Sequence, residues 1–198
     1  MQAILLDRDG VINYERADYV KSWQEFQLLP GVLPALARLA TLAIPIVVIT
    51  NQSAIGRGIV ATAVVTALHE RLGDIVTVAG GRIDAFFVCP HHPAVNCGCR
   101  KPKPGLLQQA AQQFAFALTE AVFIGDAITD YEAACAAGCH SILVKSGRQG
   151  AELDRHFSDA EAPPPLVADL GAAVELLFSR TDDRSRVQVL AHHIPAAG

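Results

Sequence analysis

The run Ala3-Ile4-Leu5-Leu6-Asp7-Arg8-Asp9-Gly10-Val11 decides how the rest of this 198-residue chain is interpreted. Its first four residues are apolar without interruption, a pattern typical of a strand buried on both faces. Two carboxylates follow at i and i+2, and residues two apart in an extended backbone point to the same side. We therefore expect Asp7 and Asp9 to face one point past the strand's carboxyl end, where like charges need a cation or a shared proton. A plain surface turn is the alternative for this pair taken alone.

Similar short apolar segments recur along the chain at 46–49, 85–88, 121–124 and 141–144. Helical patterns separate them, at about 32–42, 61–78, 105–116, 130–137 and, as the last, 166–178. Strands that alternate with helices predict an α/β fold: a doubly wound, Rossmann-like parallel sheet with helices on both faces. We expect loops at 13–29 and 92–104, and a polar, proline-rich surface connection at 149–165.

Composition excludes several classes of protein. The chain is 51% hydrophobic and 18% charged, which predicts a globular protein, and its net charge of −4 argues against a broad nucleic-acid footprint. It has neither an apolar run long enough to cross a membrane nor the pattern of a signal peptide. We expect one domain over 1–180 with a tail at 181–198, acting in the cytoplasm as a monomer, without a nucleic-acid or membrane partner.

Polar residues follow the predicted strands where each one ends. Thr50-Asn51-Gln52-Ser53 follows the second apolar segment, and Gly125-Asp126 follows the fourth, with Asp130 four residues on. Doubly wound sheets bind ligands at the carboxyl ends of their strands, so these residues are expected to converge with the first pair. Helix capping is an equally good account of Ser53 and Asp130 taken singly.

A loop of cysteine and histidine lies between the third strand and the third helical pattern. Cys89-x-His91 and Cys97-x-Cys99 offer three thiolates and one imidazole within residues 89–99. That donor set fits a closed, tetrahedral structural Zn²⁺ site, although pairs spaced C-x-x-C are more common. We expect His92 to be a neighbour of this site and not a ligand.

Four segments together resemble the motifs of haloacid dehalogenase superfamily phosphatases: Asp7-x-Asp9-Gly-Val, Thr50-Asn51-Gln52, Lys101-Pro102-x-Pro104 and Gly125-Asp126-x-x-x-Asp130. The resemblance implies that Asp7 forms an aspartyl-phosphate and that Asp9 serves as general acid and then general base. It implies that Thr50, Asn51 and Lys101 bind the phosphoryl group. Mg²⁺ would be held by Asp7, the backbone carbonyl of Asp9, and Asp126.

The cysteine loop, read together with Arg100-Lys101-Pro102-Lys103-Pro104-Gly105, resembles one subgroup of this superfamily. That subgroup includes heptose 1,7-bisphosphate phosphatases, which remove the C7 phosphate in lipopolysaccharide precursor synthesis, and histidinol-phosphate phosphatases. Further matches favour the heptose enzymes, among them Tyr19-Val-Lys21-Ser22 and Gly80-Gly-Arg-Ile-Asp84. A second substrate phosphate requires a second cationic site. Arg100 is its first candidate, and Arg57 is the second, with a salt-bridged loop residue as its alternative.

Two residues depart from the pattern of the subgroup, Ala54 where glycine is usual and Ala127 where many relatives carry lysine. No cap domain is visible between the motifs, so we expect short loops and the zinc loop to shape an open pocket. Two alternatives to a heptose bisphosphate phosphatase stay open: a histidinol-phosphate phosphatase, and a zinc-dependent binding module without catalysis.

Overall fold

The computed structural model describes residues 1–179 of the chain. A six-stranded sheet forms its centre, with the order β3-β2-β1-β4-β5-β6 and every neighbouring pair parallel. The strands are β1 (Ala3–Leu6), β2 (Ile46–Asn51), β3 (Ala85–Cys89), β4 (Ala121–Gly125), β5 (His140–Val144) and β6 (Leu166–Val167). The predicted doubly wound parallel sheet is confirmed, and the predicted tail at 181–198 lies outside the described residues.

The apolar first strand is central because both of its faces are covered. Ile4 and Leu6 join one core cluster with α1 (Val32–Leu39) and α3 (Thr62–Val78). Leu5 joins the opposite cluster with α4 (Gly105–Phe114) and α5 (Ile128–Ala137). Alternation along an extended backbone thus sends successive side chains into two separate cores, and the carboxyl end of β1 emerges between those of β2 and β4.

Two predictions in the last third of the chain are wrong. The stretch 149–165 is not only a connection, since Gly150–His156 forms the helix α6, whose Leu153 is fully buried. The predicted helix at 166–178 begins late: Leu166 and Val167 pair with β5 as the short strand β6, and α7 runs through 170–179. The strand β6 was not predicted because two residues are too few to show an alternating pattern. The helix α6 was not predicted because Leu153 stands among polar residues, so the segment shows no periodic apolar face.

The remaining connections frame one end of the sheet. The loop at 13–29 contains a short 3₁₀ turn at Trp23–Glu25, the loop at 92–104 contains another at Pro93–Val95, and the small helix α2 (Ser53–Gly56) follows β2. No separate cap domain occurs within residues 1–179. None of the helices in this part of the chain is long and apolar enough to cross a membrane.

Candidate active site

A cleft of about 640 Å³ opens where the carboxyl ends of β1, β2 and β4 meet. Parallel strands bring their carboxyl ends to one edge, which is why residues far apart in sequence line it. All the predicted catalytic, phosphate-binding and magnesium-binding residues are among its lining residues: Asp7, Asp9, Thr50, Asn51, Arg57, Arg100, Lys101 and Asp126.

Lys101 is buried in this cleft between carboxylates, with 3% of its surface exposed. Its Nζ lies 2.8 Å from Asp7 Oδ2 and 2.7 Å from Asp130 Oδ1. Burial alone would lower the pKa of the Lys101 ammonium, but the charges of Asp130 and Asp7 outweigh it and hold that pKa above its ordinary value. With Asp126, these residues form what we call the aspartate–lysine cluster.

The acids of this cluster carry more negative charge than Lys101 balances. Burial raises the pKa of Asp7 to about 7, with Lys101 opposing the rise and Asp130 adding to it. Burial also raises the pKa of Asp126 well above its ordinary value, and the charges of Asp7 and Asp130 reinforce that effect. The cluster therefore favours any added positive charge.

Two glycines leave the space that the Asp126 side chain occupies. Gly10 follows β1 with a φ of +86°, and Gly147 follows β5; a Cβ atom at either position would collide with the Asp126 carboxylate. Asp130 is held differently, because its Oδ2 accepts hydrogen bonds from the backbone N–H groups of Asp126 (3.0 Å) and Ala127 (3.1 Å). Asp130 thus caps the start of α5 while it pairs with Lys101, so both readings of this residue apply at once.

The aspartate–lysine cluster fits a magnesium ion. Oxygens of Asp7, Asp126 and Asp130 lie within 4.8 Å of one another, and oxygen donors are the ligands that Mg²⁺ prefers. Asp130 already uses both of its oxygens, one for Lys101 and one for the cap. Asp7 is engaged in the same way, by Lys101 and by the N–H of Arg8, so these contacts do not separate the two. Asp7, Asp126 and the backbone carbonyl of Asp9 stay the predicted ligands, and Asp130 lies close enough to be a further one.

Asp9 lines the same cleft as Asp7 but has a separate set of partners. Arg8 Nη2 donates to both of its oxygens at 2.6 and 2.7 Å, Asn13 Nδ2 donates to Oδ1 at 2.8 Å, and Gln52 Nε2 donates to Oδ2 at 2.8 Å. Burial alone would raise the pKa of Asp9, but these donors, Arg8 foremost, hold it below its ordinary value. The pKa values of the two acids of the first motif are thus shifted in opposite directions, and the two acids have different contacts.

Asn51 joins the end of β2 to the segment that carries Lys101. Its Nδ2 donates to the Lys101 carbonyl, and its Oδ1 accepts from the Lys101 N–H, both at 3.2 Å. The Lys101 ammonium also donates to the Ile49 carbonyl at 3.1 Å. Asn51 was predicted to bind phosphate; in this structure its side-chain amide clasps the backbone of Lys101.

The cysteine cluster, Cys89, His91, Cys97 and Cys99, lies beside this segment. Its sulfur–sulfur distances run from 3.3 to 3.6 Å, and His91 Nδ1 is 3.2 Å from Cys99 Sγ and 3.7 Å from Cys89 Sγ. A tetrahedral zinc thiolate site has sulfur–sulfur edges of about 3.8 Å. His92 stays outside the cluster, where its Nδ1 accepts from the N–H of Ala94.

The thiols of this cluster also match a zinc site electrostatically. Burial and the neighbouring thiols raise the pKa of Cys99 to about 12, and burial raises that of Cys89. Burial opposes the change at Cys97, yet hydrogen bonds from Cys99 and from the Arg100 backbone lower its pKa to about 6. One thiolate forms readily and the other two need a cation, which a bound Zn²⁺ supplies. The four residues therefore fit the metal.

Comparisons with known proteins agree with this geometry. Residues 98–173 match the family model described as HAD-hydrolase-like. The chain is 43% identical to the D-glycero-beta-D-manno-heptose-1,7-bisphosphate 7-phosphatase of Pseudomonas aeruginosa, over 88% of this chain and 97% of that protein. It is 38% identical to the corresponding alpha-anomer 7-phosphatase of Mycobacterium tuberculosis, over 78% of this chain and 85% of that one.

A solved structure is similar over nearly the whole fold. The crystal structure of the heptose 1,7-bisphosphate phosphatase of B. bronchiseptica, complexed with magnesium and phosphate, superposes with a TM-score of 0.84 at 37% identity, covering 91% of this chain and 99% of that one. The chain belongs to the haloacid dehalogenase superfamily of phosphatases.

In this haloacid dehalogenase phosphatase, sequence reasoning missed two residues that lie behind the site, Arg8 and His69. The fourth motif predicts Asp130 at this edge of the sheet with helix capping as its alternative, and the structure shows it both capping α5 and pairing with Lys101. Neither Arg8 nor His69 has a role in the sequence-based prediction. In the structure, Arg8 donates hydrogen bonds to Asp9, and His69 contacts Arg8. An arginine between two aspartates in a buried turn was the available signal for Arg8, whereas nothing in the sequence pointed to His69.

Proposed function

We propose that this phosphatase removes the C7 phosphate of D-glycero-D-manno-heptose 1,7-bisphosphate through an aspartyl-phosphate. The observation that carries the proposal is the buried contact between Asp7 and Lys101 in an open cleft, next to a second, separately held carboxylate. The names of relatives at 43% and 38% identity supply the substrate class. A phosphoryl group in this cleft meets one carboxylate able to attack and another able to move a proton.

In the first step, an Asp7 carboxylate oxygen attacks phosphorus and the bond from phosphorus to the sugar oxygen breaks. Asp9 is held ionised in the free protein by Arg8, so it first takes up a proton from solvent and then gives that proton to the sugar oxygen, because an alkoxide is a poor leaving group. Lys101 is fixed at 2.8 Å from Asp7, so its ammonium lies where negative charge collects on the phosphoryl oxygens. Thr50 presents its hydroxyl to the same cleft, and Gln52 Nε2 donates to that hydroxyl at 2.9 Å.

In the second step, Asp9 takes a proton from water while the water oxygen attacks phosphorus. The bond from phosphorus to Asp7 breaks, inorganic phosphate leaves, and both carboxylates return to their starting states. Asp7, Asp126 and the backbone carbonyl of Asp9 would hold Mg²⁺. When bound, that ion supplies positive charge that keeps the nucleophile ionised and offsets its repulsion from the phosphate.

Arg100 is suited to the second phosphate of the substrate. It lines the cleft, and its Nη1 is buried with no hydrogen-bond partner among residues 1–179. A buried guanidinium nitrogen without an acceptor is costly, and a phosphate oxygen would satisfy it. Arg57 lines the same cleft and is the second candidate.

The cysteine cluster acts in this proposal as a support. Cys99 is followed directly by Arg100 and Lys101, so a zinc ion held by the four ligands fixes the segment that delivers both cations. We also propose that the protein acts as a cytoplasmic monomer on a small sugar phosphate in lipopolysaccharide precursor synthesis, and the uncapped cleft suits a substrate of that size.

The experiment is a phosphate-release assay with zinc-loaded protein, with and without added Mg²⁺. Substrates are both anomers of the heptose 1,7-bisphosphate, since relatives differ in the anomer they are named for, and histidinol phosphate. We expect Mg²⁺-dependent release from the bisphosphate, with the sugar 1-phosphate as the product identified by phosphorus NMR. Faster turnover of histidinol phosphate would replace the proposed substrate, and no hydrolysis of any ester would favour a binding module.

A further inference from the structure

A buried cation lies directly behind the proposed general acid. Arg8 is 1% exposed and is the largest of the fully buried side chains in the described chain. Its Nη2 contacts both oxygens of Asp9, while its carbon Cζ lies 5.5 Å from the centre of the Phe26 ring. Because a buried charge is costly without a partner, the pair of Arg8 and Asp9 is a fixed unit.

His69 is the group that holds the other arm of this guanidinium. Its Nε2 lies 3.2 Å from Arg8 Nη1, although the two residues are 61 positions apart in sequence. Arginine is always a donor, so Nε2 of His69 accepts and its proton is on Nδ1. Burial and the charge of Arg8 lower the pKa of His69 to about 3, which keeps the ring neutral and able to accept.

The histidine ring is itself fixed from the sheet. It is 5% exposed and stacks on Phe86 of β3 with centroids 4.4 Å apart and an angle of 9° between the rings. His69 does not line the cleft, and its side-chain hydrogen bond is to Arg8, which in turn holds Asp9. The contacts therefore run from Phe86 to His69, to Arg8 and finally to Asp9.

We infer that Arg8, oriented by His69, is the positioning residue that aims the Asp9 carboxylate for both of its proton transfers. This inference rests on the proposed role of Asp9. Asn13 and Gln52 each donate to one oxygen of Asp9, whereas Arg8 is the one charged donor to Asp9 within residues 1–179 and contacts both oxygens. Without the acceptor on His69, the guanidinium can turn about its last bonds and Asp9 turns with it.

The test compares His69→Phe with His69→Gln. Phenylalanine keeps the ring stack on Phe86 but cannot accept a hydrogen bond, whereas the glutamine amide oxygen can accept from Arg8. We expect His69→Phe to lower kcat on the sugar bisphosphate by about tenfold, a fraction of what general acid–base catalysis contributes, with KM unchanged. His69→Gln should retain most of kcat. His156→Phe is the control, because the His156 ring also contacts a phenylalanine, edge to face with Phe157, but lies outside the cleft.

A second readout separates positioning from packing. p-Nitrophenyl phosphate has a leaving group that needs no proton, so its first step bypasses Asp9 as an acid while the second step still needs Asp9 as a base. We expect His69→Phe to release a burst of nitrophenolate and to accumulate phosphorylated enzyme, which the unmodified protein does not. Equal losses in His69→Phe and His69→Gln, a loss expressed only in KM, or no burst would overturn the inference.

The fold of each variant is checked first by thermal melting. If His69→Phe does not fold, Arg8→Lys serves instead, because lysine keeps the charge but presents one nitrogen to Asp9 and none to His69. Wild-type kcat in Arg8→Lys would overturn the inference as well. Failure of the unmodified protein to hydrolyse any phosphate ester would instead remove the proposed function, so the two failures are distinct.

Discussion

The aspartate–lysine cluster and the cysteine cluster lie at the same end of the sheet, and each gathers acidic ligands for a metal. They differ in the charge that each one already contains. The first holds a buried ammonium, Lys101, in contact with two of its three carboxylates. The second has thiols and an imidazole with no cation among them. We conclude that the first cluster keeps its geometry without its metal and that the second depends on its metal for folding.

The largest effect expected is on catalysis in the first cluster. Asp7→Asn should lower phosphate release by on the order of 10³-fold or more, as expected for loss of a nucleophile. Zinc content and melting temperature should not fall, since the change removes a buried carboxylate whose ionisation burial disfavours. Assays of turnover, zinc content and thermal melting check this, with the exposed Asp159→Asn as control. Full turnover by Asp7→Asn would refute the nucleophile.

The second prediction breaks the cysteine cluster. Cys97→Ser should lose stoichiometric zinc and lower the free energy of unfolding by about 3 kcal/mol, within the range for losing a structural link or metal ligand. KM should rise because Arg100 and Lys101 follow the cluster, while Asp7 can still be phosphorylated. Metal analysis, denaturant unfolding and steady-state kinetics measure these effects. Normal zinc content with normal melting would show that the cluster is not a zinc site.

A third prediction concerns Arg100, which lies in the sequence between Cys99 of the cysteine cluster and Lys101 of the aspartate–lysine cluster. Arg100→Ala should raise KM for the bisphosphate about 10- to 100-fold, the worth of a hydrogen bond to a charged group, and should leave KM for a monophosphate nearly unchanged. Arg57→Ala is the matched comparison, since both guanidinium groups line the cleft. A larger effect at Arg57 would exchange their roles.

The smallest expected effect is a pH dependence of stability caused by His69, a buried group that belongs to neither cluster. The pKa of His69 is about 3 in the folded protein and near 6.5 when unfolded, so the unfolded chain binds the extra proton between these values. Stability should therefore fall as the pH drops below 6.5, by about 2 kcal/mol at pH 5. His69→Gln lacks this titration. Urea unfolding at pH 7 and pH 5 should show a smaller loss in the variant, and equal losses would contradict the shift.

Residues whose role follows from the end of a strand were predictable from sequence. Asp7 and Asp126 each come directly after an apolar segment, and parallel strands must bring such positions together. Asp130 was ambiguous because one carboxylate can cap a helix and pair with a lysine at once, and the sequence shows only the spacing that both roles share.

Residues whose role depends on packing between distant segments were not predictable. His69 faces Arg8 across 61 positions, and its place on α3 among apolar neighbours is that of any buried ring. The strand β6 was missed for a related reason. Leu166 and Val167 form a strand because they pair with the edge of β5. The local sequence pattern does not contain that information.

The two hydrogen bonds between the Asn51 side chain and the backbone of Lys101 limit where this chain can accept inserted residues. Residues 93–96, between His91 and Cys97, are exposed and touch the rest of the chain mainly through Lys103. Residues 97–101 are fixed at one end by the cysteine cluster and at the other by Asn51. Insertions are therefore tolerable in the first stretch, whereas one added residue in the second would pull the lysine out of register with its two aspartates.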